Sequence, residues 1–186
     1  MVDIECTDLR SDSEFILCCG IKELGKPGKI VGLANVERGP DRHRIDHWLV
    51  LKIRDEMEKF DGWITWNGLM FDLPFIDDRL LFCGHDQLQR RFARGLDMMW
   101  HARMGKSRMS SSRLDSVAKA LKCPFRKTAL EKHRWKDAED DAIAWRRGEK
   151  MGKSYKYIAD HCLADLDVTE WVYGKLKQRI VTISKR

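Results

Sequence analysis

Apolar residues recur along this chain with two different periods, and each period predicts its own kind of element. Met1–Ile4, Glu14–Lys22 and Lys29–Val36 are short apolar runs that read as strands. The last two are joined by L-G-K-P-G-K, whose Gly and Pro suit a hairpin turn. Arg44–Phe60 switches to the helical period. Ile45, Trp48, Leu49, Ile53, Met57 and Phe60 recur three or four apart with charges between them, and Asp61-Gly62 closes the run. Trp63–Trp66 is a short apolar strand ended by Asn67-Gly68. Leu73–Cys83 returns to helix, with Pro74 in its first turn and Gly84 as C-terminal cap.

Gly95–Met99 reads as a further strand, and the small, polar and basic Gly105–Ser112 as a loop. Ser110, Ser111 and Ser112 are N-cap candidates for a helix over Leu114–Leu121. Cys123–Lys136 is irregular, Asp137–Arg147 is helical up to Gly148, and Lys150–Ser154 links to a final helix over Lys156–Arg179. A hairpin-linked group of strands followed by alternating strands and helices predicts an α/β domain, a mixed β-sheet flanked by α-helices. The 186 residues suit a single domain, 1–186, with no internal repeat.

Composition narrows the class. The chain is 43% hydrophobic and 34% charged, as in soluble globular proteins. No apolar run approaches the roughly 18 residues of a membrane span, and no signal peptide is visible. Six cysteines form no C-x-x-C pair, which disfavours zinc and suits reduced thiols. A soluble intracellular protein is expected: cytoplasmic, nucleoid-associated or in a viral replication compartment.

The net charge of +6 is unevenly spread. Residues 90–156 hold 19 Lys and Arg against 8 Asp and Glu, whereas residues 1–89 hold 11 against 17. An acidic half beside a basic half suits a polyanionic partner, with a solvated basic surface as the plainer alternative.

The candidate chemistry centres on Asp72. It stands in W-N-G-L-M-F-D-L-P-F-I (66–76), an acid among bulky apolar residues. An ionised carboxylate there is costly unless it is paired or bound to metal. A helix N-terminus favours an acid, but does not account for the Asn-Gly, the aromatics and the Pro together. Asp3 and Glu5, two apart in a strand, point to one face, where a divalent cation would relieve their repulsion. On the final helix Asp165 shares a face with Ile158, Cys162, Thr169, Val172 and Leu176. Asp160 and Asp167 fall nearer the opposite side and read as solvated charges. His161 lies one turn before Asp165, so both can reach one site.

This order of acids resembles the DEDD superfamily of 3′–5′ exonucleases, the DnaQ-like nucleases with an RNase H-like fold. D-I-E-C-T-D-L (3–9) is similar to the family's first motif, W-N-G-L-M-F-D-L-P-F (66–75) to its second, and H-C-L-A-D-L-D-V-T (161–169) to its third. The nearest flavour is the stand-alone exonucleases related to the proofreading domain of family-B DNA polymerases. S-S-R-L-D-S-V-A-K-A-L (111–121) and W-R-R-G-E (145–149) resemble connecting segments there.

The resemblance implies Asp3, Glu5, Asp72 and Asp165 as ligands of two divalent cations, Mg²⁺ or Mn²⁺, with His161 in the place of the general base. Thr7 and Leu9 would meet the substrate's 3′ end, and Asn67, Gly68 and Phe71 the terminal nucleotide. The implied activity is hydrolysis of nucleic acid from a free 3′ end to 5′-mononucleotides, with single-stranded DNA favoured over RNA. The chain departs from the pattern in four ways. His161-x₃-Asp165 puts a His on the spacing of the family's Tyr, Asp8 replaces a Gly, Trp66 precedes the Asn, and the first strand is short. Tyr155-x₄-Asp160 is a rival pair whose acid lies on the wrong face.

An RNase H-like endonuclease or junction resolvase, and a nucleic-acid-binding module with weak catalysis, are the alternative readings. Trp100, Trp135 and Trp145 are candidates for base stacking or core packing. The chain starts at the first motif and ends soon after the third. A free-standing nuclease, or a subunit of a replication or repair complex, is therefore expected, with no membrane partner.

Overall fold

The structure is a computed structural model that describes residues 1–89, 95–104, 111–125, 131 and 133–184, with backbone alone at 104, 179 and 181–184. Three antiparallel strands form one sheet in the order β1 (Val2–Cys6), β2 (Ile16–Ile21), β3 (Lys29–Gly32). The expected hairpin joins β2 to β3, with Gly25 at φ +77° in its turn. The third strand stops earlier than expected: Leu33–Asn35 forms a single 3₁₀ turn, closed by Val36 N–H donating to Leu33 O. β4 (Trp63–Thr65) and β5 (Gly95–Asp97) pair in parallel, and β4 lies beside β1. An antiparallel and a parallel sheet thus lie side by side, flanked by helices, an α/β fold of the RNase H-like kind.

β1 alternates, with Val2, Ile4 and Cys6 buried and Asp3 and Glu5 partly covered on the opposite face. β2 is buried at all six residues, because helices cover both of its faces. α1 (His47–Met57) lies on one side and packs on α2 (Asp72–Phe82). Its inward stripe is Leu49, Val50, Ile53 and Met57. Trp48, expected in that stripe, is 40% exposed; the wider stripe takes in Val50 and leaves Trp48 on the flank. Gly84 ends α2 in the left-handed conformation at φ +78°, with His85 N–H reaching back to Leu80 O, as its cap position predicts.

A buried clamp fixes this layer. Asp46 is fully buried and accepts Arg79 Nε and Nη2 at 3.0 and 2.6 Å, as well as Ile16 N–H. Arg79 also donates to Ser11 O and His43 O, tying the loop after β1 to α2.

Several element ends and caps differ from expectation. The strand at Gly95 ends at Asp97, because Asp97 caps α3 (Met98–Met104) directly. α4 (Leu114–Ala120) starts after Arg113 with no side-chain cap; Ser111 Oγ instead accepts Arg113 N–H. Ser110 and most of the expected 105–112 loop lie outside the described residues. α5 (His133–Arg146) starts four residues earlier than predicted. α6 (Lys153–Ser184) begins inside the expected linker, because Asp141 Oδ2 accepts Ser154 and Tyr155 N–H and so caps it.

α5 and α6 cover the other side of the sheet. A second apolar cluster, from Met98 to Leu176, joins α3 and α4 to α6. Trp145 is buried in the main core. Asp167 is not a simple solvated charge, since it pairs with the buried Lys22, which Glu170 also approaches at 2.9 Å. All six thiols are free. No helix among the described residues is long and apolar enough to cross a membrane.

Candidate active site

Strand alternation puts Asp3 and Glu5 on the face of β1 opposite Val2, Ile4 and Cys6. Asp3 stands across from Gly20, and Glu5 from Cys18. Gly20 lets α6 come down onto this face. A Cβ there would sit 2.7 Å from Leu166 Cδ1 and 2.9 Å from Cys162 Sγ. The register slips between Glu5 and Cys6, a bulge that bends the strand end beside the acids.

Asp72 reaches the same place from the other sheet. After β4 the chain turns at Asn67, which adopts the left-handed conformation at φ +67°. Gly68 is buried against Thr65, where a Cβ would lie 2.6 Å from Thr65 Cγ2 and Oγ1. Asn67 O accepts Met70 and Phe71 N–H, and Gly68 O accepts Leu73 N–H. That tight path makes Asp72 the first residue of α2. Its Oδ1 accepts Ile4 N–H at 2.9 Å, which pins it between the Asp3 and Glu5 positions of β1.

α6 supplies the third side. His161 and Asp165 are one turn apart on its inward face, and both are buried. His161 Nε2 lies 4.0 Å from Glu5 Oε1 and 3.9 Å from Asp165 Oδ2. Only 2% of His161 is exposed, and the edge of Trp135 packs on its ring with centroids 5.7 Å apart.

The electrostatics show how crowded the acids are. Burial pushes the Asp3 carboxyl well above the usual range, and Asp72, Glu5 and Asp165 push it further. Asp72 is raised to about 7, mainly by burial; the Ile4 amide opposes that shift and the Asp97 charge adds to it. Ligand atoms of Asp3, Glu5 and Cys162 all lie within 4.8 Å of one another. Oxygen donors crowded in this way fit hard divalent cations, whose charge would offset the repulsion that raises Asp3.

The residues expected to meet substrate lie in the segments that follow β1 and precede α2. Leu9 is 74% exposed at the end of β1, as a side chain that meets a ligand would have to be. Thr7 is partly engaged: its hydroxyl donates to Glu14 Oε2 at 2.6 Å and accepts Phe15 N–H. Asn67, Gly68 and Phe71 form the turn that leads into Asp72, with Phe71 stacked at a tilt on Phe75.

Two residues of this region were not singled out from the sequence. Cys162 donates from Sγ to Asp3 O at 3.5 Å, and its thiol also bonds the Asp3 side chain. Its hydrogen bond with Cys18, and then burial, push this thiol well above its ordinary value. The only sequence sign was its place on the inward face of the last helix. Asp97 accepts four backbone N–H groups behind the Asn67 turn. A capping Asp between a strand and a helix could have marked it.

Asp3 and Glu5 on β1, Asp72 at the start of α2 and Asp165 on α6 thus come together in one small α/β fold. A family model described as the RNase_H superfamily matches residues 1–176. The chain belongs to the RNase H superfamily, and with that goes a nuclease-like role as a hydrolase that processes nucleic acid. No curated protein matches it.

Proposed function

We propose that the protein is a metal-dependent 3′–5′ exonuclease that hydrolyses nucleic acid, preferably single-stranded DNA, to 5′-mononucleotides. The observation that carries this reading is the convergence of Asp3, Glu5, Asp72 and Asp165 beside His161, with the Asn67–Phe71 turn leading into Asp72. Asp3, Glu5, Asp72 and Asp165 would hold two Mg²⁺ or Mn²⁺ ions. Bound there, the cations supply Lewis-acid activation of the phosphodiester and of water.

The chain's own residues do the rest. Ile4 N–H orients Asp72 so that a lone pair stays directed into the cluster. His161 Nε2 faces Glu5 and Asp165 and accepts the proton of the attacking water. The Asn67–Phe71 turn and the exposed Leu9 hold the terminal nucleotide, Leu9 by wedging against the last base. The basic 90–156 stretch attracts the strand's phosphates, and its contribution weakens as salt rises.

The test is degradation of 5′-labelled DNA and RNA oligonucleotides with Mg²⁺, Mn²⁺ or EDTA. A ladder that shortens from the 3′ end and disappears in EDTA is expected. Cleavage of a circular single strand would instead select an endonuclease of the same superfamily. Binding without cleavage in either cation would select a binding module.

A further inference from the structure

We propose that Asp97 is a positioning residue for the terminal-nucleotide pocket, acting by clamping the Asn67–Leu69 turn to the start of α3. This rests on the exonuclease reading above. Asp97 is buried at the end of β5. Its Oδ1 accepts Met99 N–H at 2.9 Å and Trp100 N–H at 3.3 Å. Helix capping explains those two bonds. It does not explain the other two. Oδ1 also accepts Asn67 N–H at 3.1 Å, and Oδ2 accepts Leu69 N–H at 3.3 Å, from a segment 28 to 30 residues away.

Those amides belong to the part of the chain with the least freedom to find other acceptors. Asn67 is in the left-handed conformation, and Gly68 is pressed on Thr65. The Asn67 carbonyl is committed forward to Met70 and Phe71. Only a carboxylate offers two oxygens with enough lone pairs for four converging donors. Releasing it would leave part-buried N–H groups without these acceptors and let the turn relax. The side chains of Asn67 and Phe71 would then move relative to Asp72, whose own anchor to Ile4 is separate.

The clamp also joins two surfaces. Met70 lies in the clamped turn and is 72% exposed, and Trp100, whose N–H is clamped, is 57% exposed. One carboxylate therefore fixes the spacing of the backbones that carry both. A strand entering the pocket would meet them in a set relation.

Asp97→Asn keeps an acceptor for Asn67, Met99 and Trp100 but presents an NH₂ group to Leu69 N–H; Asp97→Ala removes all four acceptors. The test compares wild type, Asp97→Asn and Asp97→Ala for kcat and KM on a 5′-labelled single-stranded DNA. Mn²⁺ affinity by calorimetry and amide exchange at Asn67 and Leu69 are measured alongside. KM is expected to rise in the order wild type, Asn, Ala, by roughly 10- to 100-fold at the end of the series. Mn²⁺ affinity should stay within about threefold of wild type, since the clamp leaves the Asp72–Ile4 anchor intact. Exchange at both amides should quicken in Asp97→Asn. A merely structural role would lower the active fraction, and with it kcat, and leave KM alone. If Asp97→Ala does not fold, Asp97→Asn decides. An active wild type with unchanged KM in the folded variants overturns this inference alone. A wild type inactive on every 3′ end overturns the exonuclease reading and this inference with it.

Discussion

Two groups of buried charge share α2, Asp72 at its start and Arg79 about two turns on, and they are built on opposite terms. Asp46 is met by both forks of Arg79 and by a backbone amide, and the remaining Arg79 donors reach Ser11 O and His43 O. The charges cancel, and Arg79 is held above its ordinary value by Asp46. Asp3, Glu5, Asp72 and Asp165 crowd together instead. Among the described residues no Lys or Arg forms an ion pair with Asp3 or Asp72. Desolvation and mutual repulsion push Asp3 up, and desolvation takes Asp72 to about 7. A compensated pair is complete within the chain and acts on stability. Asp3 and Asp72, which no Lys or Arg among the described residues neutralises, instead carry a cost that a bound cation would relieve, the pattern expected of a functional site.

The comparison breaks most sharply at Asp72. Asp72→Ala is expected to lower hydrolysis by about 10³-fold or more, because the ligands act as a unit. Oligonucleotide degradation measures it, and unchanged activity would overturn the site assignment. In the clamp, Asp46→Ala should cost about 3–5 kcal/mol, since it strands a buried guanidinium. A fall of about 10 °C in melting temperature is the readout. A variant that melts with wild type would show that the clamp is not the complete pair described.

A smaller effect tests how the acids are delivered. Gly68→Ala places a methyl against the buried Thr65 side chain and should cost about 1–3 kcal/mol in chemical denaturation. A neutral result would mean that the turn into Asp72 has room to spare.

The smallest effect is one of pH. The folded chain holds a proton on Asp72 up to about pH 7, whereas the unfolded chain releases it near the ordinary value of 3.8. Metal-free stability from this group is therefore greatest below that lower value and is lost as pH rises through about 7. Asp72→Asn keeps the Ile4 bond without the charge. Its melting temperature, in EDTA, should overtake wild type by a few degrees between pH 5 and pH 7.5. A wild type that gains on the variant with rising pH would contradict the raised carboxyl.

The parts of this site that were legible in the sequence are those that local rules govern. Alternation placed Asp3 and Glu5 on one face, and helical spacing put Asp165 and His161 inward. Asn-Gly marked the turn before Asp72. What local rules miss is the partner from far away. Nothing near Asp46 announces Arg79, 33 residues on, and nothing near Asp97 announces that Asn67 and Leu69 will bond it. Gly20 reads as a flaw in a strand until α6 lies on it. Trp48 was assigned inward by period alone, which cannot tell the middle of a stripe from its edge. The early start of α6 was hidden because its cap, Asp141, comes from the preceding helix.

Calorimetric titration of Mn²⁺ into metal-free wild type and Asp72→Asn tests the uncompensated cluster most directly. The expected result is Mn²⁺ binding by wild type and its loss in a variant that melts no lower at pH 7.5. Equal Mn²⁺ binding by both proteins, or none by wild type, would contradict the assignment of these acids as a cation site.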